Sequence, residues 1–187
     1  MHWNYFLALE SDLRNVSRFI EFTEKNFGAY SIELAHLLLA SASEVDVVCK
    51  AICKILTPEA DAQSIDNYRE IITNRFPDFL QEKVYISRYG RSFTPWERWA
   101  NNQNPLWWKG YNDVKHHRNE YFEDANLRNV INSMCGLLIS VFYLYKLKFS
   151  DGLPQLIRNK DVTLKLKPES TFLTLPDEYY YSHLLTN

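Results

Sequence analysis

Cysteine, glycine and proline are all scarce, at 3, 5 and 7 residues in a chain of 187. Three cysteines (Cys49, Cys53, Cys135) are too few and too odd in number for a disulfide framework, so the sequence predicts a reducing, cytoplasmic setting. So little glycine and proline excludes a collagen-like chain or extended disorder. A dominant charge is also missing: 21 basic residues stand against 23 acidic ones, a net of −2. No apolar run reaches the roughly 18 to 20 residues that span a bilayer, so no membrane partner is expected. The opening MHWNYFLALESDLR meets acids at Glu10 and Asp12, which argues against a secretory or transit peptide.

What the chain does have is aromatic side chains, 15% of residues, with 12 Tyr and 5 Trp. Residues 1–80 carry 7 basic and 12 acidic side chains, a net of −5. Residues 81–118 carry 7 basic and 3 acidic, a net of +4, and hold Trp96, Trp99, Trp107 and Trp108. Cations interleaved with aromatics suit a polyanion whose bases can stack. The same residues also suit an irregular segment anchored to the core by tryptophan, with cations on its rim.

Apolar periodicity predicts a first helix over 4–26, with Phe6, Leu9, Leu13, Val16, Phe19 and Ile20 on one face and a stop at Asn26-Phe-Gly28. A second helix over 31–56, capped by Ser31, is apolar on nearly every side and should be central. A third covers about 64–75. KVYIS and SFTPW, on either side of RYGR, predict two short strands inside an insertion over about 77–105. A fourth helix is expected from Leu106 to Phe122. A fifth, N-capped by Asp124, carries the clearest amphipathic pattern, Leu127 through Tyr145. In the tail, VTLKLK and TFLTL look β-like. The expected architecture is an all-α, antiparallel up-and-down helical bundle over 1–150 with a small β-containing insertion. An irregular C-terminal extension, 151–187, would pack on the bundle.

The sharpest constellation is YNDVKHHRNEYF, Tyr111 to Phe122. On a helix Asn112, His116 and Asn119 fall at i, i+4 and i+7, a single polar stripe bordered by Lys115. Imidazole is the side chain that moves protons near neutrality, and an amide one turn away can orient it or hold a phosphate oxygen. An ordinary solvated helix face is the alternative.

With helix two reading SEVDVVCKAIC and the late segment YNDVKHHRNEYFEDANLRNVINSMCGLL, residues 4–148 resemble the HEPN (higher eukaryotes and prokaryotes nucleotide-binding) superfamily. Many members are metal-independent ribonucleases of toxin–antitoxin, CRISPR and phage-defence systems, and they dimerise so that two copies of this helix share one cleft. Their motif is an arginine, often followed by a polar residue, then a histidine after four to six intervening positions. His116 matches the histidine and Asn112 the polar position, whereas Tyr111 stands where the arginine would be. Lys109 and Arg118 are the nearest cations. The resemblance implies catalysis by His116 and Asn112, with Lys109 or Arg118 stabilising charge. Lys115, Asn119 and Tyr111 would touch RNA, and Glu44 would orient a basic residue of helix four. It implies no cofactor or metal, a homodimer, and a cognate antitoxin or defence-system partner. A non-catalytic nucleic-acid-binding module, or one holding a protein through the Trp-rich insertion, is the second expectation.

Glu33 and His36 form one ExxH pair, but a di-iron bundle needs two such pairs plus further glutamates. His36 is expected as a hydrogen-bonded core residue. Cys49 and Cys53, at i and i+4, suit burial as small hydrophobes rather than redox or zinc chemistry.

Overall fold

The computed structural model describes residues 1–181; residues 182–187 of the expected C-terminal extension lie outside it. The first helix, α1 (His2–Val16), buries Trp3, Phe6, Leu9 and Leu13. It stops well short of the expected residue 26. Ser17 turns its hydroxyl back onto the Arg14 carbonyl at 2.6 Å, and the chain continues irregularly. Phe22 and Phe27 still reach the core from this stretch, whereas Phe19, expected inside, is 85% exposed. A helical stripe can bury a residue only while the helix lasts.

Helix α2 (Ile32–Leu56) starts where the Ser31 hydroxyl accepts the Leu34 N–H at 3.1 Å. Helix α3 (Ile65–Arg75) starts with a reciprocal capping box between Ser64 and Asn67, which satisfies two of the orphan donors of its first turn. Strands β1 (Val84–Ile86) and β2 (Arg91–Phe93) pair antiparallel, Val84 opposite Phe93. Gly90 in the connecting turn has φ +57°, a conformation glycine adopts without steric cost.

Helix α4 (Leu106–His117) ends before Phe122, so Asn119 lies beyond it. Helix α5 (Leu127–Lys148) is capped by Asn126, whose side chain accepts the Asn129 N–H at 3.0 Å. Asp124 is not the cap; it sits in a single 3-10 turn, Phe122–Asp124. The VTLKLK stretch is not β: it falls in and just after α6 (Asn159–Lys165). Val162 and Leu166 are buried while Leu164 between them is exposed. An i, i+4 pair on a helix and the ends of a short alternating strand share that spacing. TFLTL contributes one bridge, in which Thr174 and Tyr85 exchange both backbone hydrogen bonds at 2.8 and 3.0 Å.

Helices α2 and α5 form the most extensive pairing in the core. Ser41 Oγ lies 2.6 Å from Ser133 Oγ and, about two turns further along both helices, Cys49 Sγ lies 3.9 Å from Ser140 Oγ. These two helices therefore run in the same direction. Sequence neighbours do run antiparallel. His2 at the start of α1 meets Glu44 at the midpoint of α2 while Asp12 and Val16 lie beside Glu33 and His36 near its start, and Trp107 and Gly110 of α4 abut Gly136 and Asn129 of α5. The α1–α2 and α4–α5 pairs are therefore antiparallel, whereas the central contact, α2 on α5, is a parallel pair.

By length and composition α5 alone among the described helices could cross a membrane, yet 83% of that window is buried within the protein. It is the core's axis, covered on most sides by the other helices.

Four of the five tryptophans gather where the insertion meets α4 and α5. Trp96, Trp99, Trp107 and Trp108 are all buried. Trp96 packs on Trp99 with ring centroids 4.2 Å apart and on Phe79 at 5.3 Å, and the Trp107 indole N–H donates to the Pro95 carbonyl at 3.0 Å. These rings wedge the insertion against α5, so they offer no faces for base stacking or for a partner protein.

Candidate functional site

The stretch from Lys109 to Glu120 divides into an occupied half and a free half. Gly110 and Val114 face the core, and Tyr111 is buried with its ring 5.4 Å from Trp108. The Tyr111 hydroxyl accepts a hydrogen bond from Lys115 Nζ at 3.2 Å, and the same ammonium lies over the Tyr111 ring. Lys109 is engaged too: it pairs with Asp113 one turn on and lies over the Tyr121 ring. That hydrogen bond raises the Lys109 pKa, so it stays charged but is held by its own helix. Asn112, half-buried, donates an amide hydrogen to the Trp108 carbonyl at 2.9 Å. It does not orient His116 in this arrangement.

Downstream the side chains reach solvent. Lys115, His116, His117, Arg118, Asn119 and Glu120 are all exposed. Among the described residues, His116, His117 and Arg118 have no side-chain hydrogen bond or ion-pair partner. The two imidazole centroids are 6.4 Å apart, and the His117 ring lies 6.4 Å from that of Tyr121. A helix C-terminus carries partial negative charge from its unpaired carbonyls, which is a local reason for cations to gather there.

The structure therefore keeps His116, Arg118 and Lys115 together at one end of α4. It places Tyr111 in the core, holds Lys109 and Asn112 in contacts of their own helix, and carries Asn119 past the helix end. Glu44 does not meet α4: its carboxylate takes the His2 ring at 2.7 Å, on the α1 side of α2. The i, i+4, i+7 stripe passed over His117, although the run KHHR marks both imidazoles as surface residues. The cavities of about 570, 360 and 320 Å³ are lined by other elements.

Glu33 and His36 approach to 4.0 Å, and both are largely exposed, so His36 is not the core residue expected. Among the described residues no three His, Cys, Asp or Glu side chains converge. All three cysteines are buried and free.

Fold and surface together define a helical bundle, with a small two-stranded sheet, that displays His116, His117 and Arg118 to solvent at the end of α4. No family model, curated protein or solved structure matches the chain.

Proposed function

We propose that this is an RNA-binding helical bundle, HEPN-like in design, that grips phosphate with the last turn of α4. The observation behind it is that His116, His117 and Arg118 are consecutive, exposed and unpaired among the described residues, with Lys115 beside them. Charge that is not spent inside the protein remains available for counterion release on a polyanion. The buried tryptophans make this a phosphate-directed, sequence-tolerant mode rather than a stacking one. The test is the anisotropy of a fluorescein-labelled single-stranded RNA across a salt series. Replacing Lys115 and Arg118 together by alanine should weaken binding and flatten the log–log salt slope by about 1.4, the value for two phosphate contacts on a single strand. Unchanged affinity and slope would remove α4 from the interface.

A strand-cleaving role is the second reading, favoured by the paired imidazoles. One ring would take the proton of the ribose 2′-hydroxyl as its oxygen attacks phosphorus. The other would deliver a proton to the departing 5′-oxygen as the P–O5′ bond breaks, leaving a 2′,3′-cyclic phosphate and a 5′-hydroxyl. Arg118 would stabilise the charge that builds on the phosphorane. Incubation with RNA in EDTA should then give cyclic-phosphate ends, reduced at least about 100-fold by His116→Ala or by His117→Ala. Equal cleavage by both variants and wild type would exclude this chemistry at α4.

A further inference from the structure

A concave surface lies far along the chain from α4, where α1 gives out beside the start of α2. It is a groove of about 570 Å³, within the range of sites that hold ligand side chains. Leu9, Val16, Leu37 and Ala40 form its floor, and Phe19 and Ile20 form an apolar lip. Phe19 is 85% exposed, and the neighbouring Ile32 is 64% exposed. One phenyl ring in water needs no explanation, but a ring beside an apolar trough is the composition of a docking surface.

The walls have one sign of charge. Asp12 projects from α1 and Glu33 from α2, while no lysine or arginine lines the groove. Asp12 has no ion-pair partner among the described residues, and Glu33 has only the long 4.0 Å contact with His36. Arg14, two residues from Asp12, is turned away to Thr171 and the Phe172 ring. Arg18 is exposed on the same segment without lining the groove.

From this juxtaposition we infer that the groove between α1 and α2 receives an amphipathic helical segment of a partner protein whose apolar stripe is flanked by lysine or arginine. The wall residues on α2, Glu33, His36, Leu37 and Ala40, recur at i, i+3, i+4 and i+7. Those on α1, Leu9, Asp12 and Val16, recur at i, i+3 and i+7, and Phe19 follows just past the end of the helix. Two ridged helices of this kind leave a trough that suits a third helix presenting anchors at the same spacing. The carboxylates then set which helix is accepted, since matched rim charges favour one partner and like charges reject another.

The probes are two fluorescein-labelled 14-residue amphipathic peptides with the same leucine stripe, one flanked by lysine and one by glutamate. Wild type should bind the lysine peptide at least about tenfold more tightly than the glutamate peptide. Phe19→Asp, a change at an exposed position, should weaken the lysine peptide by at least about tenfold. Asp12→Lys with Glu33→Lys should reverse the preference. Far-ultraviolet circular dichroism and melting temperature check that each variant keeps its fold. RNA binding by Phe19→Asp, which leaves Lys115 and Arg118 in place, should stay close to wild type, which separates this surface from α4. Absence of binding, equal binding of the two peptides, or full binding by Phe19→Asp would overturn the proposal. So would wild-type dimerisation abolished by Phe19→Asp, which would assign the groove to a second copy of the chain.

Discussion

Leu173, in the C-terminal tail, donates its backbone N–H to the Glu10 carboxylate of α1 at 2.8 Å, across 163 positions of sequence. The same oxygen accepts the Phe172 N–H at 3.0 Å and lies 2.5 Å from the Ser170 hydroxyl. Glu10 is buried. Its charge is tolerated because tail donors converge on it, the condition under which a buried carboxylate is not a large penalty.

Removing that acceptor should therefore cost more than removing an ordinary surface acid. Glu10→Ala strands buried N–H groups and should destabilise the protein by about 3 kcal/mol, whereas Glu10→Gln, which keeps an acceptor, should cost about half as much. Urea denaturation of both variants checks the order, and equal losses would argue against the carboxylate as the acceptor that matters.

Gly110 offers a contest between two effects of opposite sign. Alanine is favoured over glycine inside a helix by about 1 kcal/mol. A Cβ at 110, however, would sit 2.6 Å from Asn129 Nδ2, the amide that donates to the Asp124 carbonyl at 2.9 Å. Overpacking of this kind costs about 1–3 kcal/mol, so Gly110→Ala should be net destabilising. Gly28→Ala, with nothing within 4 Å of its Cβ, is the control and should be nearly neutral.

Burial raises the thiol of Cys53 from 9.0 to about 12 and pushes Cys49 and Cys135 up as well. A raised acid favours the folded state only while it stays protonated. Its contribution is complete below pH 9 and is lost as pH climbs from 9 through 12. Melting temperature should fall over that window, less steeply in Cys53→Ala. At pH 8, Ellman's reagent should label none of the three thiols until urea unfolds the chain.

At the other end of the pH scale, Arg158 and the Tyr181 hydroxyl hold Asp161 down at about 2. A depressed acid contributes above its unfolded value near 4 and loses that contribution as pH falls to 2. The melting temperatures of wild type and Asp161→Asn should differ most at neutral pH and converge towards pH 2. The pair is open to solvent on the Arg158 side, so added salt should narrow the gap.

Local signals in the sequence carried as far as their mechanisms reach. Ser31 caps α2, and the turn chemistry around Gly90 joins two strands because those choices depend on a few neighbouring residues. Asn126, not Asp124, caps α5, since a turn at Phe122–Asp124 comes first and periodicity does not show it. The length of α1 could not be read either. Phe19 and Ile20 continue the apolar spacing, and only the Ser17 back-bond and the packing of Phe22 end the helix. That hid the groove, which exists because α1 stops. On α4 the KHHR run announced its exposure. Glu44 gave no hint of its partner, because His2 is 42 residues away on another helix.

Because the tail supplies the partners of Glu10, and Trp3 donates its indole N–H to the Pro168 carbonyl, α1 is strapped down by residues more than 160 positions further along the chain. Its packing on α2 and α5 needs only local helices, whereas these tail contacts close a loop of most of the chain, so they should be the later of the two to form in refolding.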